Sequence, residues 1–145
     1  MTLDPDERFV VDASIAIKWV IPEVGSERAE TLLDHGLVAP DLLFAECANA
    51  LWKKLSRGEL TGDEAAIAAQ TLEQADLTVV PAKGHLASAV AIAAELDHPA
   101  YDGIYLAIAE ALGLRLVTAD ARLIRKVNQT SLRFRPMLAT LAEFG

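Results

Sequence analysis

Cysteine is all but missing from this chain: Cys47 stands alone among 145 residues. That excludes an internal disulfide and a zinc site built from several thiolates. Histidine is scarce as well, and His35, His85 and His98 lack the spacing of a zinc-binding helix. Hydrophobic residues make up 52% of the sequence, yet no run of them nears the roughly 20 residues that a membrane-crossing helix needs. Residues 1–8 are too acidic for a signal peptide and are read as a short lead-in, so a cytoplasmic protein without membrane contact is expected. The eight glycines are scattered at turns and helix ends, which excludes the glycine-rich loops that cradle nucleotide phosphates. Positive charge is also in deficit. With 13 basic and 21 acidic residues the net charge is −8, an unfavourable balance for binding nucleic acid as a whole. The deficit is uneven, however. Arg115, Arg122, Arg125, Lys126, Arg133 and Arg135 crowd into residues 113–145 beside only two acids, forming either a local cationic surface or an ordinary solvated face.

What is present begins with Phe9-Val10-Val11, an unalternating apolar run ending at Asp12. Such a run fits a strand buried on both faces, the pattern of a parallel sheet covered by helices. Further short apolar runs at 37–39, 77–80 and 114–117 repeat the pattern, and 132–134 reads as an edge strand. Helices are expected over 14–21, 26–35 with Leu32 and Leu33 facing inward, 42–57 capped by Asp41, 62–75, 85–96, 100–112, 121–127 and 136–144. The 62–75 helix opens with a Thr61…Glu64 capping box. Pro22, Gly36, Gly58, Pro99 and Gly113 punctuate these elements. Strands alternating with helices over 145 residues predict one α/β domain, residues 1–145, around a mostly parallel sheet.

Four acids stand out against apolar surroundings. Asp12 and Asp120 each follow a strand and precede a helix, at the sheet edge where ligands bind in open α/β folds. Glu46 and Asn49, three apart on one helix face, are the polar residues besides Cys47 between Leu42 and Trp52, and that helix is expected to be largely buried. Asp102 and Glu110 are the charged residues of 100–112. Each acid has a plain structural explanation taken singly. Asp12, Ser14 and Asp120 suit helix N-caps, and Asp102 complements a helix dipole. Carboxylates brought together, however, repel one another unless a cation balances them. An all-oxygen donor set without Cys or His favours Mg²⁺ or Mn²⁺, and such an ion suits phosphodiester hydrolysis.

Several of these pieces resemble the PIN-domain ribonucleases and, within them, the VapC-type toxins of toxin–antitoxin pairs. They are Val11-Asp12-Ala13-Ser14 with Lys18-Trp19, Pro40-Asp41-Leu42, Glu46-Cys47-Ala48-Asn49-Ala50-Leu51, Tyr101-Asp102, Tyr105-Leu106-Ala107 and Leu116-Val117-Thr118-Ala119-Asp120. They span nearly the whole chain in the family's order. The resemblance implies a five-stranded sheet of order 3-2-1-4-5 with helices on both faces, which seats Asp12 and Asp120 on neighbouring strands. It implies that Asp12, Glu46, Asp102 and Asp120 form a catalytic Mg²⁺ or Mn²⁺ site supported by Ser14, Asn49 and Thr118. It also implies a homodimeric endoribonuclease acting on RNA and silenced by a cognate antitoxin.

Other readings of the architecture fare worse or stay open. A receiver-like domain wants an acidic pair after strand one and an acceptor Asp after strand three, where Asp12-Ala13 and Pro81-Ala82 stand. A haloacid-dehalogenase-type phosphatase wants an Asp where Ser14 stands. A non-catalytic PIN-like interaction module, or another metal-dependent phosphohydrolase on this fold, remains the alternative; binding of Mg²⁺ or Mn²⁺ separates the module from a nuclease.

Overall fold

Five strands and seven helices alternate along residues 4–145, the range described by the computed structural model. Residues 1–3 of the expected lead-in lie outside the described residues. β1 (Phe9–Val11) leads into α1 (Ala13–Val20) and α2 (Ser26–Thr31), and β2 (Leu37–Pro40) into α3 (Leu42–Ser56) and α4 (Gly62–Glu73). β3 (Thr78–Val80) precedes α5 (Leu86–Leu96) and α6 (Ala100–Leu112). β4 (Arg115–Val117), α7 (Ala121–Thr130) and β5 (Leu138–Ala139) complete the chain. The sheet has the order β3-β2-β1-β4-β5, and all four pairings are parallel. Among the described residues no helix is long and apolar enough to cross a membrane.

The β1 sequence explains why this strand is central. Successive strand side chains point to opposite faces, and Phe9, Val10 and Val11 are all fully buried, so helices cover the sheet on both sides. The Thr61 cap forms as the sequence predicts: its hydroxyl accepts from the Glu64 N–H, and the Glu64 carboxylate accepts from the Thr61 N–H. α6 matches its predicted bounds, with Ile104 to Ala109 buried and Gly113 closing it in the left-handed region at φ 68°.

Five expectations need correction. Residues 136–144 are not a helix. Arg135–Met137 form a 3₁₀ turn with Pro136 at its second position, Leu138–Ala139 pair with β4 as the edge strand, which therefore does not lie at 132–134, and Leu141–Glu143 form another 3₁₀ turn. Leu132 is left exposed, and Phe134 fills the core from a turn. The 26–35 helix ends early: Leu32–Asp34 tighten into a 3₁₀ turn that buries Leu32 and leaves Leu33 44% exposed. Asp41 does not cap α3 with its side chain; its carboxylate accepts from the Ala82 N–H across the β3 end. α3 itself is buried along one stripe, Leu43, Cys47 and Leu51, while Trp52 is 60% exposed.

α5 and α6 pack closely through Gly103. A Cβ there would lie 2.5 Å from the Ala89 carbonyl oxygen, a backbone atom with no freedom to yield. Gly103→Ala is therefore expected to destabilise the fold by about 1–3 kcal/mol through overpacking. Urea unfolding checks this; an unchanged midpoint would show that the helices can separate at no cost.

Candidate active site

The β1 and β4 pairing brings two predicted acids together. Val11 pairs with Val117 at the ends of these strands, so Asp12 and the Thr118–Asp120 turn emerge side by side at the carboxyl edge of the sheet. Asp12 is 4% exposed and Thr118 fully buried. Two hydroxyls clamp this edge. Ser14 Oγ donates to Asp12 Oδ1 at 2.5 Å and accepts from the Ala119 N–H at 2.8 Å. Thr118 Oγ1 donates to Asp12 Oδ2 at 2.5 Å and accepts from the Asp120 N–H at 3.0 Å. Each hydroxyl thus accepts a hydrogen bond from a backbone N–H of the β4–α7 turn and donates one to Asp12. Asp120 is the N-cap of α7, its Oδ1 accepting from the N–H groups of Arg122 and Leu123.

The two remaining acids arrive on helices. Glu46 stands on α3, and its Oε1 accepts from the hydroxyl of the fully buried Tyr105 at 2.6 Å. Asp102 lies in the first turn of α6, where His98 Nε2 donates to its Oδ2 at 2.5 Å. All four carboxylates line one cleft of about 300 Å³, with Ser14, Asn49 and Lys53 also on its wall. Of the predicted site residues, only Thr118 lies behind the cleft wall, where it holds Asp12. No three of the His, Cys, Asp and Glu side chains among the described residues already converge on one point. Each carboxylate is instead held by its own local donor.

Burial, and to a lesser degree the neighbouring acids, raises three of these carboxyls. Burial pushes the Asp12 carboxyl up to about 7; the Ser14 and Thr118 hydrogen bonds oppose this, and the Asp102 and Asp120 charges add to it. Glu46 is raised by burial, held back by the Tyr105 hydroxyl and raised further by Asp102 and Asp120. Asp102 is raised by burial and by Asp120, against the pull of the His98 hydrogen bond and the charges of His98 and Arg122. Clustered, desolvated carboxyls of this kind mark functional sites, because removing their repulsion needs a proton or a cation. The donor set fits a hard divalent cation: four carboxylates and a hydroxyl, all oxygen, with no thiol or imidazole facing the cleft.

Three further residues accompany the acids, and sequence reasoning assigned a role to none of them, although Tyr105 stands in one of the family-like pieces. Tyr105 is three residues beyond Asp102 on α6, and His98 is four before it, across the Pro99 break. Lys53 is seven beyond Glu46 and four beyond Asn49 on α3. Helical spacing from the acids was the signal for Tyr105 and Lys53; His98 lies outside α6, before its Pro99 N-cap, and carried no such signal.

Comparison with known proteins gives a consistent result. The family model described as "PIN domain" matches residues 9–128. Ribonuclease VapC3 of Pyrobaculum aerophilum is 37% identical over 123 residues, covering 82% of this chain and 94% of that protein. Ribonuclease VapC9 of Mycobacterium tuberculosis is 34% identical over 115 residues, covering 79% and 87%. A toxin–antitoxin complex from Klebsiella pneumoniae shares the fold with a TM-score of 0.65 at 16% identity, covering 92% of this chain and 97% of that one.

Proposed function

This chain belongs to the PIN-domain family, and from that membership we propose that it is a metal-dependent endoribonuclease, the toxin of a toxin–antitoxin pair. The observation that carries the reading is the convergence of Asp12, Glu46, Asp102 and Asp120, from four separate segments, on one cleft at the carboxyl edge of the sheet. These four would hold Mg²⁺ or Mn²⁺. When bound, such an ion polarises a phosphoryl oxygen and lowers the pKa of water, the chemistry that phosphodiester hydrolysis requires.

The chain's own residues prepare that site. Ser14 and Thr118 fix both oxygens of Asp12 and tie the Asp120 turn to β1. Tyr105 orients Glu46, and His98 orients Asp102. Such outer partners aim carboxylates at a metal and are typically worth 10–100-fold in affinity or activity. Asn49 and Lys53 lie on the α3 wall, where they offer an amide and a cation to the substrate. The partners we assign are RNA, a cognate antitoxin and a second copy of this chain. The antitoxin is supported by the fold shared with toxin–antitoxin complexes. Self-association is what the family resemblance implies.

The test is incubation with total RNA and with short single-stranded oligonucleotides in Mg²⁺, in Mn²⁺ and in EDTA, followed by sequencing of the new ends. Cleavage at defined positions that EDTA abolishes is expected. A protein that binds neither ion and cuts no RNA would return the chain to a non-catalytic interaction module.

A further inference from the structure

The cationic residues near the end of the chain separate into two groups in the structure. Arg115 pairs with Glu7 and Glu143, and Arg133 with Glu95 and Glu110. Arg135 donates to the Asn128 carbonyl. These three are committed within the protein. Arg122 and Arg125 are not: among the described residues neither guanidinium has an ion-pair or hydrogen-bond partner, and both are exposed.

α7 explains where they point. Leu123 and Val127 are buried on its inner face, so Arg122, Arg125, Lys126 and Gln129, at i, i+3, i+4 and i+7, share the outer one. Together with Asp97 and the His98–Pro99 turn they line a pocket of about 250 Å³. Lys126 is partly neutralised by Asp97 at 3.7 Å, an acid that is itself 97% exposed. The pocket adjoins the acidic cleft through two residues. His98 forms its wall and bonds Asp102, while Asp120 in the cleft caps the helix turn that carries Arg122. In a chain of net charge −8, two exposed guanidiniums that make no ion pair or hydrogen bond among the described residues, with Arg122 close enough for its charge to act on Asp102, are matched to an anion brought from outside. Their planar forks suit a phosphate.

We propose that the Arg122–Arg125–Gln129 face of α7 and the His98–Pro99 turn bind a backbone phosphate of the RNA adjoining the one being cleaved. The strand then crosses the acidic cleft between this pocket and Lys53 on the α3 wall. A cation on each side lets a polyanion approach four carboxylates that would otherwise repel it. This inference rests on the reading that RNA is the substrate.

The test is steady-state cleavage of a single-stranded RNA oligonucleotide in Mg²⁺ at a series of KCl concentrations. Wild type, Arg122→Gln, Arg125→Gln and Arg122→Lys are compared with Arg57→Gln, an exposed charge at the far end of α3. Each phosphate contact contributes about 0.7 to the slope of log affinity against log salt on a single strand. Arg122→Gln and Arg125→Gln are expected to raise KM about 3- to 10-fold at low salt and to flatten the slope by about that 0.7. Arg122→Lys should keep the slope, and Arg57→Gln should follow wild type. RNA cleavage with unchanged KM and slope in both Gln variants overturns the pocket and leaves the nuclease reading standing. Absence of RNA cleavage by wild type overturns both.

Discussion

Asp120→Asn is expected to cut RNA at least about 100-fold more slowly than wild type while keeping wild-type stability. The size follows from the role assigned to the carboxylate, since even partners one shell removed from a metal are worth 10–100-fold. The unchanged stability follows from the geometry. Asp120 Oδ1 accepts from the N–H groups of Arg122 and Leu123, and an Asn side chain offers an oxygen at the same place. Asn and Asp are nearly equal as N-caps, so the substitution removes a charge from the cleft and little else. Asp120→Ala removes the cap too and should cost about 1 kcal/mol of stability. The pair of variants separates the two explanations of this residue. If Asp120 were only a helix cap, the Asn variant would cleave RNA normally and the Ala variant would be merely less stable. Thermal melts beside a cleavage assay read both quantities from the same preparations.

The architecture was legible where burial is uniform along an element. Phe9-Val10-Val11 advertises a two-faced strand because a central parallel strand has no solvent side to alternate with, and the structure buries all three residues. Gly113, the Thr61 box and Pro99 mark helix ends through local backbone chemistry that tertiary packing does not override. Legibility failed where a few residues serve a distant partner. Leu138–Ala139 become a strand only because β4 has an open edge beside them, and two residues carry no period. Asp41 looked like a cap, but the β3 end supplies a competing N–H from Ala82. In α3 the run of Ala, Leu and Phe suggested full burial, whereas the helix packs along one stripe and leaves Trp52 and its neighbours outside. The acids were legible as charges in apolar frames. The groups that hold them, Tyr105 and His98, were not, since a hydroxyl or an imidazole at the edge of a core helix is common without any such duty.

In EDTA, the folded protein is expected to lose stability as pH rises from about 4 to 8, and Asp12→Asn is expected to remove most of that loss. The Asp12 carboxyl titrates near 3.8 when unconstrained and near 7 in the fold, chiefly because burial disfavours its charged form. Between those values the native state holds a proton that the unfolded chain has released, so ν_N exceeds ν_U and stability falls with rising pH. The stabilising contribution is complete below the unfolded value and is lost as pH passes the folded one. A difference of about 3 pH units corresponds to roughly 4 kcal/mol from this group, and the raised carboxyls of Glu46 and Asp102 act in the same direction. A divalent cation replaces the missing proton. Mg²⁺ at 100 times its dissociation constant should restore about 2.7 kcal/mol to wild type at pH 8 by binding only the folded state, and less to Asp12→Asn, which lacks a ligand. Urea unfolding at pH 5, 6.5 and 8, with EDTA or Mg²⁺, resolves these effects. Stability that holds steady from pH 5 to 8 in EDTA and ignores Mg²⁺ would mean that Asp12 is an ordinary buried acid satisfied by Ser14 and Thr118 alone, and the cleft would then have no need of a metal.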